Sequence, residues 1–563
     1  MLDQTKFSIA YFSMEVGIRN SIPTYSGGLG ILAGDTIKSC ADLEIPLVAI
    51  TMLNEHGYFF QQIDKEGNQN AQPTNWSIND YLKLIPTQTT IFIQDREITI
   101  QVWEYIVKGE TGFEIPVYFL DTNIASNNEY DRHLTSHLYK GEDQDYRLSQ
   151  EIVLGIGGFE ILEKLGFNNI KKYHLNEGHS ALLTIKLNQK LNNSRQIDLS
   201  SLRPHLVFTT HTSVPAGHDL FPIDIANRYL NHYIDELPPT TISNNLFHLT
   251  QLALQSSGFI NAVSKIHGEV SRNIFPLFNI EYITNGAHPG SWVSAPFAKI
   301  FDHYAPEWRL KPQQLSNLTQ ATNEEIAKAH KENKKALIDF TNQVTNAGMD
   351  NDYFTICFAR RITGYKRPDL ILLNPERICQ ICNIRPIQII FAGKAHPSDL
   401  EGQEIIKKIF HTKNNFKDNL KIAYLENYNI KVAKFLTQGA DLWLNNPIPL
   451  MEASGTSGMK AALNGIPSLS SIDGWWAEAE IEGEGTTGWS IDNHNDQNNL
   501  TVEERDHKDA NNIYDKLEKN IVPLFYNHQD QWIQIMKNCI AKNGSYFNSH
   551  RMVQEYWDRA WSK

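Results

Sequence analysis

The most informative stretch of this sequence is Glu452-Ala-Ser-Gly-Thr-Ser-Gly-Met-Lys-Ala-Ala-Leu-Asn-Gly465, which joins a turn of small residues to a helix start and one lysine. Thr456 or Ser457 is predicted to cap the helix, which stops at Asn464-Gly465. Lys460 lies four residues after Thr456 on the same helical face, and helical side chains tilt towards the N-terminus. Because the free N–H groups of a helix start favour a phosphate, we expect the amine of Lys460 to lie over an anion site.

A phosphate site beneath a lysine suits a ligand that has both a phosphate and an aldehyde. Pyridoxal phosphate, held by Lys460 as a Schiff base, is such a ligand. The same residues also fit a glycine- and serine-rich loop that caps an ordinary helix, with Lys460 in solvent. The stretch by itself does not decide between these two interpretations.

Length and composition indicate at least two large domains. The 563 residues exceed what one hydrophobic core holds, and 41% hydrophobic with 20% charged residues is ordinary for a globular protein. The sequence has no apolar run of about eighteen residues, and its first residues do not follow the plan of a signal peptide. Five cysteines are few and odd in number, which fits reduced thiols. We therefore expect a cytoplasmic protein.

The net charge restricts the partners. At −13 the chain repels nucleic acid and anionic membranes but not a neutral polysaccharide, so we expect neither of the first two as a partner. An anionic substrate would need a local positive pocket. The segment Ala359-Arg-Arg-Ile-Thr-Gly-Tyr-Lys-Arg367 places four cations directly after a predicted strand. Arg361 and Lys366 could grip phosphate or a sugar phosphate, although a solvated positive face is the alternative. No histidine pair has zinc spacing, so no metal is predicted.

The order of predicted elements indicates an α/β protein. In the second half, strands at 353–359, 387–393, 422–425 and 441–444 alternate with helices at 368–382, 399–411 and 430–438. That rhythm favours a parallel, doubly wound sheet. In the first half, 90–107 alternates like a hairpin and predicts an antiparallel addition to an α/β domain. The polar run 492–509 is predicted to be a surface loop.

Nearly the whole chain resembles the α-glucan (glycogen, starch and maltodextrin) phosphorylases. Ten motifs occur in the order found in that family: Tyr11-Phe-Ser-Met-Glu15, Tyr25-Ser-Gly-Gly-Leu-Gly30, Asn176-Glu-Gly-His-Ser180, Thr209-Thr-His-Thr212, Asn261-Ala-Val-Ser-Lys-Ile-His267, Ile283-Thr-Asn-Gly286, Phe391-Ala-Gly-Lys-Ala395, Leu425-Glu-Asn-Tyr428, Glu452 to Lys460, and Asp473-Gly-Trp-Trp476. The chain is most similar to the short bacterial and archaeal members. The first motif begins near Tyr11, so we expect the N-terminal regulatory extension of the long enzymes to be absent.

The resemblance implies a fold and a domain division. We expect two Rossmann-like doubly wound domains facing a central cleft, the GT-B arrangement, with antiparallel additions in the N-terminal domain. Residues 1–286 would form that domain and 287–540 a C-terminal domain that carries pyridoxal phosphate. Residues 541–563 would form a helix that packs back on the N-terminal domain. A homodimer is left open.

The activity implied by the resemblance is that of an α-1,4-glucan phosphorylase. Such an enzyme uses phosphate to release the non-reducing-end glucosyl unit of a glucan as glucose 1-phosphate, with retention. The 5′-phosphate of the cofactor would act as general acid and base, since a phosphate monoester has a second pKa of about 6. The segments 445–451 and Asp473-Gly-Trp-Trp476 differ from the animal enzymes, so the preferred chain length stays undetermined.

The resemblance also assigns the site residues. In the catalytic set, Lys460 would hold the cofactor aldehyde, Arg361 and Lys366 would bind the substrate phosphate, and His211 would orient the sugar and present its backbone carbonyl to the anomeric carbon. The other cofactor-binding residues implied are Gly455, Thr456, Ser457, Arg360, Trp292 and Tyr428. The substrate-binding residues implied are Gly27, Gly28, Asn285, Tyr365, Glu452, Ser454 and Gly455.

Three other functions stay open at this point. A hydrolase would use a pair of carboxylates, for which Glu177, Asp219 and Glu452 are candidates. A nucleotide-sugar-dependent glucan synthase of the same fold could hold a diphosphate with Arg361 and Lys366. A glucan-binding protein without activity could have kept the fold alone.

Overall fold

Short apolar strands alternate with amphipathic helices along most of the chain. The computed structural model describes residues 3–140, 143–214, 217–417, 419–480, 483–491 and 500–563. The strands are β1 (Ile9–Ser13), β2 (Leu47–Met52), β3 (Phe60–Ile63), β4 (Gln69–Gln72), β5 (Lys83–Ile93), β6 (Arg96–Lys108), β7 (Glu114–Asp121), β8 (Lys172–Asn176), β9 (Leu206–Thr209), β10 (Leu220–Pro222), β11 (Ile242–Ser243), β12 (Leu246–His248), β13 (Phe259–Ala262), β14 (Glu281–Tyr282), β15 (Phe354–Ala359), β16 (Ile387–Ala392), β17 (Lys421–Leu425), β18 (Leu442–Asn445), β19 (Ser468–Ser471) and β20 (Gly488–Ile491).

The helices connect these strands or flank them. They are α1 (Gly28–Asp42), α2 (Glu129–Arg132), α3 (Gln144–Ile152), α4 (Gly158–Lys164), α5 (Leu183–Asn192), α6 (Leu199–Leu202), α7 (Ile223–Tyr229), α8 (Leu249–Ser256), α9 (Lys265–Ile274), α10 (Pro289–Trp292), α11 (Ala295–Tyr304), α12 (Asn323–Thr345), α13 (Pro375–Ile384), α14 (Leu400–Asn415), α15 (Ile430–Gly439), α16 (Thr456–Ala462), α17 (Trp476–Ala479), α18 (Val502–Lys516), α19 (Val522–Asn527), α20 (Gln529–Asn538) and α21 (Ser549–Tyr556). None of the described helices combines the length and apolar composition that a membrane span requires.

The chain forms two compact units. The N-terminal unit comprises Met1–Phe59, Pro73–Thr284 and Met552–Lys563, and the C-terminal unit comprises Phe60–Gln72 and Asn285–Arg551. The predicted division after Gly286 lies two residues beyond the division observed after Thr284. The hairpin β3–β4 belongs to the C-terminal unit, which the sequence analysis did not anticipate.

A nine-stranded sheet organises the N-terminal unit, in the order β14-β13-β9-β8-β1-β2-β7-β6-β5. Seven strands run parallel, and β6 and β5 are added antiparallel. The antiparallel hairpin predicted at 90–107 is therefore confirmed. Strands β1 and β2 are buried along their whole length, as expected for parallel strands covered on both faces. The strand order reverses between β1 and β8, where such sheets bind ligands.

The C-terminal unit contains a six-stranded parallel sheet in the order β17-β16-β15-β18-β19-β20. Numbered from β15, this is the 3-2-1-4-5-6 order of a doubly wound sheet, with its reversal between β15 and β18. The four strands predicted here are confirmed, whereas β19 and β20 were missed because their small and polar residues carry little strand signal. The protein is thus a mixed α/β protein built on parallel sheets.

Two local predictions need correction. Helix α16 begins at Thr456, and its N-cap is Gly455 in a left-handed conformation (φ 87°) rather than Thr456 or Ser457. In the polar run 492–509, residues 492–499 lie outside the described part of the chain. From Val502 the chain is helical rather than a loop, because Thr501 and Glu504 form a capping box that starts α18.

A buried ion cluster ties α12 to the sheet of the C-terminal unit. Asp441, at the start of β18, accepts hydrogen bonds from the backbone N–H of Thr355 (2.8 Å), His330 Nε2 (2.8 Å) and Lys334 Nζ (2.6 Å). Burial alone would raise the pKa of Asp441, but Lys334 and His330 outweigh it and hold that pKa below its usual value. The carboxylate is therefore a charged group that depends on its partners.

Replacing Asp441 by alanine is expected to lower the free energy of unfolding by about 3 to 5 kcal/mol, because Lys334 is then buried without its anion. Urea unfolding followed by circular dichroism measures this change. The matched control is Asp339→Ala, since Asp339 binds Lys335 at the exposed side of the same helix and should contribute less than about 1 kcal/mol. Equal unfolding midpoints for the two variants would contradict the role of Asp441.

Candidate active site

The predicted basic cluster lies where the strand order of the C-terminal sheet reverses. Arg360 directly follows β15, and Asn445 ends the neighbouring strand β18. The guanidinium of Arg360 donates a hydrogen bond to Asn445 Oδ1 and so joins the two strand ends. The carboxyl ends of parallel strands at such a reversal are the usual ligand site of doubly wound sheets.

Glu452 is the anion around which this site is built. Its carboxylate is buried and binds both Arg360 Nη2 (2.7 Å) and Lys366 Nζ. Burial alone would raise its pKa, but Arg360 and Lys366 outweigh burial and lower the pKa of Glu452 to about 2. Its backbone N–H donates to Asp473 Oδ2 (2.9 Å), which fixes the segment that leads into α16. Two cations facing one carboxylate leave this point of an acidic protein locally positive.

The other two cations of the cluster differ in role. Arg367 is buried and bonded to Asp506 and Asp509 (both 2.8 Å) and to the carbonyl oxygen of Asn446, so it holds the fold together. Arg361 is exposed. Lys366 Nζ lies 4.5 Å from the centroid of the Tyr365 ring. Arg361 therefore reaches solvent, while the amine of Lys366 is held by Glu452.

Lys460 is buried, with 6% of its surface exposed, and its amine lies 4.3 Å from the centroid of the Trp292 ring. The backbone that carries this ring is held in place, because the carbonyl oxygen of Trp292 accepts hydrogen bonds from Asn464 Nδ2 (3.0 Å) and Gln438 Nε2 (3.1 Å). A solvated lysine on an ordinary helix is thereby excluded. The fold brings Lys460 and Trp292 together although more than 160 residues of chain separate them.

The backbone of the turn at Gly455, which precedes the helix of Lys460, is accessible. Gly455 has a left-handed conformation, and the nearest side-chain atom to an added Cβ would be 3.6 Å away. Ser457 Oγ accepts a hydrogen bond from Trp443 Nε1 (3.2 Å), so its hydroxyl hydrogen can still be donated. Tyr428 is half-buried and packs against the neighbouring core.

Three residues predicted to bind ligands carry buried polar atoms that have no hydrogen-bond partner in the described part of the chain. They are Asn285 Oδ1, Arg360 Nε and Ser454 Oγ. Native proteins rarely leave such atoms unsatisfied, and where they do a ligand or water usually binds there. All three belong to the C-terminal unit, as does Lys460.

In the glycine turn of the N-terminal unit, Ser26-Gly-Gly28, an internal carboxylate occupies a backbone amide that was expected to bind substrate. The Glu15 carboxylate, itself buried, accepts hydrogen bonds from the backbone N–H groups of Ser26 (2.5 Å) and Gly27 (3.2 Å). The amide of Gly27, predicted to bind phosphate, is thus engaged by an internal anion. An added Cβ at Gly28 would meet no atom within 4 Å, so this part of the turn, which starts α1, is open.

His211 is held at two points in the same unit. Its backbone N–H donates to Glu177 Oε2 (2.7 Å), and its Nε2 lies 2.7 Å from Asn176 Oδ1. Burial lowers the pKa of His211 to about 3, with the imidazoles of His267, His174 and His179 adding to the effect. The side chain is therefore a neutral hydrogen-bonding group at physiological pH.

One cluster in the N-terminal unit has ligand-type atoms close enough for a metal, namely Glu151, His179 and Asp219. Arg147 already supplies positive charge there, at 3.0 Å from Glu151 Oε1 and 3.1 Å from Asp219 Oδ2. A guanidinium in contact with both carboxylates would repel a metal ion. The cluster is best described as a buried ion pair.

Similarity to known proteins extends over essentially the whole chain. A sequence profile described as carbohydrate phosphorylase matches residues 240–516. The maltodextrin phosphorylase of Thermococcus litoralis is 37% identical over 99% of this chain and 70% of its own length. The glycogen phosphorylase of Aquifex aeolicus is 33% identical, over 100% of this chain and 87% of its own length.

The chain belongs to the carbohydrate phosphorylase family. A further relative, an uncharacterized protein of Methanocaldococcus jannaschii, is 31% identical over 98% of this chain and 99% of its own length. The predicted resemblance to bacterial and archaeal phosphorylases is therefore confirmed. As expected for a carbohydrate phosphorylase, the chain is an enzyme of the glycosyltransferase class.

Sequence reasoning missed three residues that organise this carbohydrate phosphorylase. Glu15 and Asn176 lie within quoted motifs, but only the structure shows that they contact the glycine turn and His211. Asp473 holds the backbone of Glu452, and burial raises the pKa of its carboxyl to about 7. The only signal for them was the presence of polar residues at the ends of buried strands.

Glu177→Gln is expected to make the stability of the protein less dependent on pH. Burial raises the pKa of Glu177 to about 7, although its hydrogen bonds to His211, Thr212 and Gly178 oppose the shift. The folded chain therefore keeps this proton at pH values where the unfolded chain, with a pKa of about 4, has lost it. The contribution of Glu177 to stability falls as pH rises through this range, and glutamine removes that fall.

The measurement is the free energy of unfolding in urea at pH 5 and pH 8, for the wild type and the variant. Glu97→Gln is the matched control, because Glu97 is exposed on β6. An unchanged pH dependence in Glu177→Gln would show that Glu177 is not the group that titrates.

Proposed function

We propose that the protein is an α-1,4-glucan phosphorylase. It would release the non-reducing-end glucosyl unit of glycogen, starch or maltodextrin as glucose 1-phosphate, with retention at the anomeric carbon. The observation that carries this proposal is identity of 33% and 37% over essentially the whole chain with relatives named glycogen and maltodextrin phosphorylase. The buried Lys460 against Trp292 supports it independently.

Pyridoxal phosphate fits the residues of the C-terminal unit. The amine of Lys460 can hold its aldehyde, and the Trp292 ring lies beside that amine. The backbone of Gly455 is open, Thr456 and Ser457 follow it, and Arg360 Nε has an unused hydrogen. Tyr428 is the remaining residue that we assign to this group. When bound, the cofactor supplies a phosphate with a pKa of about 6 that can give and take a proton near neutral pH.

We propose that Lys366 and Arg361 bind the substrate phosphate. Lys366 has three N–H donors, of which Glu452 uses one, so the amine can contact an oxyanion without leaving the carboxylate. Arg361 is exposed and can bind two phosphate oxygens at once. In the N-terminal unit, Gly27 and Gly28 were both expected to bind substrate, and Gly28 is the one of the two whose amide we assign to this role, since Glu15 engages the amide of Gly27.

The sugar would be held by hydrogen bonds. Asn285 Oδ1 and Ser454 Oγ are buried and without a partner in the described chain, so each can take a glucosyl hydroxyl. Glu452 is ionised and accepts further hydrogen bonds, and Tyr365 offers a ring face and a hydroxyl. In the N-terminal unit, His211 is neutral at working pH and would orient a sugar by hydrogen bonding.

The rival functions fit these observations less well. A hydrolase needs two carboxyl groups beside the scissile bond. Glu177 is bonded to the His211 backbone, Asp219 to Arg147, and Glu452 to two cations. A nucleotide-sugar-dependent synthase has no use for a buried lysine against a tryptophan. A glucan-binding protein without activity would not need that lysine either.

The wider assignments belong to the same proposal. We propose the GT-B type of glycosyltransferase, supported by a parallel sheet in each unit. The predicted boundaries 1–286, 287–540 and 541–563 are adjusted to the observed units, so that Phe60–Gln72 and Asn285–Arg551 belong to the C-terminal unit and Met552–Lys563 to the N-terminal unit. We propose a cytoplasmic enzyme whose partners are glucan, phosphate and glucose 1-phosphate, and for which nucleic acid and membranes are not partners. A homodimer stays open.

Incubating the purified, cofactor-loaded protein with maltodextrin and phosphate is expected to give glucose 1-phosphate without added nucleotide. Lys460→Ala should lower this rate to about one thousandth or less, the scale seen when one essential group is removed. Lys335→Ala, a change of an exposed lysine, is the matched control and should keep full activity. Product formation only with a nucleotide sugar would establish the synthase instead.

Borohydride reduction followed by peptide mapping is expected to leave a pyridoxyl label on Lys460. The informative alternative is Lys394, because burial lowers the pKa of its amine to about 8 and makes it more nucleophilic at neutral pH than an ordinary lysine. Lys394→Arg should therefore retain the label and Lys460→Arg should lose it. A label that disappears with Lys394→Arg would overturn the assignment.

A further inference from the structure

The ring of His211 can donate from one nitrogen only, and the identity of that nitrogen decides what the ring can bind. Burial and three neighbouring imidazoles keep the side chain neutral, with a pKa of about 3. Glu177 binds its backbone rather than its ring. In a neutral imidazole one nitrogen donates and the other accepts, and the hydrogen bond made by one nitrogen fixes the role of the other.

The assignment can be made from a backbone atom whose chemistry is unambiguous. The carbonyl oxygen of Glu15 can only accept, and Ser13 Oγ lies 2.7 Å from it, so the single hydroxyl hydrogen of Ser13 is used there. Ser13 Oγ can then only accept from the Asn176 amide, 3.0 Å away, which must present its NH2 group to Ser13. Asn176 Oδ1 therefore faces His211 Nε2, and that nitrogen must carry the hydrogen.

The fold holds these groups at a rigid place. Ser13 ends β1 and Asn176 ends β8, and the two residues are directly paired in the parallel sheet. Both are buried, with 1% and 2% of their surface exposed. This is the point where the strand order of the N-terminal sheet reverses. If the Asn176 amide were inverted, its Oδ1 would face Ser13 Oγ and would need the hydroxyl hydrogen of Ser13. That hydrogen is already donated to the Glu15 carbonyl oxygen, so only one orientation of the amide satisfies all the groups.

We propose that Ser13 and Asn176 are positioning residues that hold His211 as the Nε2–H tautomer and leave its Nδ1 as a hydrogen-bond acceptor for a glucosyl hydroxyl group. The last part of this statement rests on the proposed function, whereas the tautomer does not. A hydroxyl group can donate to Nδ1, while a sugar position that carries only an acceptor cannot. Ser13, which acts on His211 through Asn176, thus determines that this contact selects a hydroxyl group of the sugar.

The hydrogen bonds that run from Glu15 through Ser13 and Asn176 to His211, here called the relay, are also connected to the glycine turn at Ser26-Gly-Gly28. The same Glu15 whose carbonyl accepts from Ser13 uses its carboxylate to bind the backbone N–H groups of Ser26 and Gly27. Glu15 is itself held by Tyr139, whose hydroxyl donates to Oε1 (3.2 Å). One residue therefore fixes both the turn that starts α1 and the direction of the hydrogen bonds that end at His211.

The test is the nitrogen NMR signature of His211 in the full-length enzyme. Two-bond proton–nitrogen correlation spectra of histidine-labelled protein distinguish a protonated ring nitrogen from an unprotonated one. The His211→Gln variant identifies the signals of this residue among those of the 20 histidines. The expected result at neutral pH is a protonated Nε2 and an unprotonated Nδ1. A protonated Nδ1, or an imidazolium, would overturn the proposal.

Ser13→Ala tests the positioning role. Without the hydroxyl the Asn176 amide can invert, so we expect the Nδ1–H tautomer to become populated to about one half or more. The apparent KM for glucan should then rise about twofold or more, because the competent fraction falls, while kcat changes less. Ser149→Ala is the matched control, since Ser149 is a buried serine whose hydroxyl donates to the backbone oxygen of Asp145 in α3 (2.8 Å).

The outcomes separate the two proposals. An Nε2–H tautomer that persists unchanged in Ser13→Ala would show that Ser13 does not set it. An Nε2–H tautomer that shifts in Ser13→Ala, in a protein that forms no glucose 1-phosphate, would leave the relay in place and reject the phosphorylase. Phosphorolysis by a protein with a protonated Nδ1 would reject the relay alone.

Discussion

A single buried carboxylate organises the chemistry of this protein. Glu452 is ionised only because Arg360 and Lys366 face it, and those cations are buried only because Glu452 compensates their charge. None of the three would be tolerated alone in this environment. The site therefore exists as a unit, and it lies where the strand order of a parallel sheet reverses, so that the ends of two adjacent strands supply its groups.

In each unit, polar groups join the ends of two adjacent strands where the strand order of the sheet reverses, but the chemistry of these groups differs between the units. In the C-terminal unit the ends of β15 and β18 are joined by a hydrogen bond from the charged Arg360 to Asn445, and Arg360 Nε remains a donor for an anion. In the N-terminal unit the ends of β1 and β8 are joined by neutral hydrogen bonds, from the Glu15 carbonyl through Ser13 and Asn176 to His211. A neutral relay suits a sugar hydroxyl, whereas charged groups suit phosphate.

Much of this could be predicted from the sequence, and the remainder has physical reasons. The parallel strands of the second half and the hairpin within 90–107 followed from apolar patterns. The contact of Lys460 with Trp292 was not predicted, because the family resemblance assigned each residue to the cofactor and not to the other. The membership of the hairpin β3–β4 in the C-terminal unit was not predicted either, because Gln61 reaches Gly393 and Asn427 through contacts that leave no local pattern. Glu15 engaging Gly27 was equally invisible, since a motif shows which residues are present and not which already bind each other.

The most direct measurement follows the oxygen atoms of the reaction. Maltodextrin is incubated with the loaded enzyme and phosphate labelled with heavy oxygen in all positions, and the sugar phosphate is analysed by mass spectrometry and NMR. If the enzyme cleaves the bond between carbon and oxygen at the anomeric centre, the product is α-glucose 1-phosphate in which every phosphate oxygen retains the label. A β product or the absence of any labelled sugar phosphate would contradict the account.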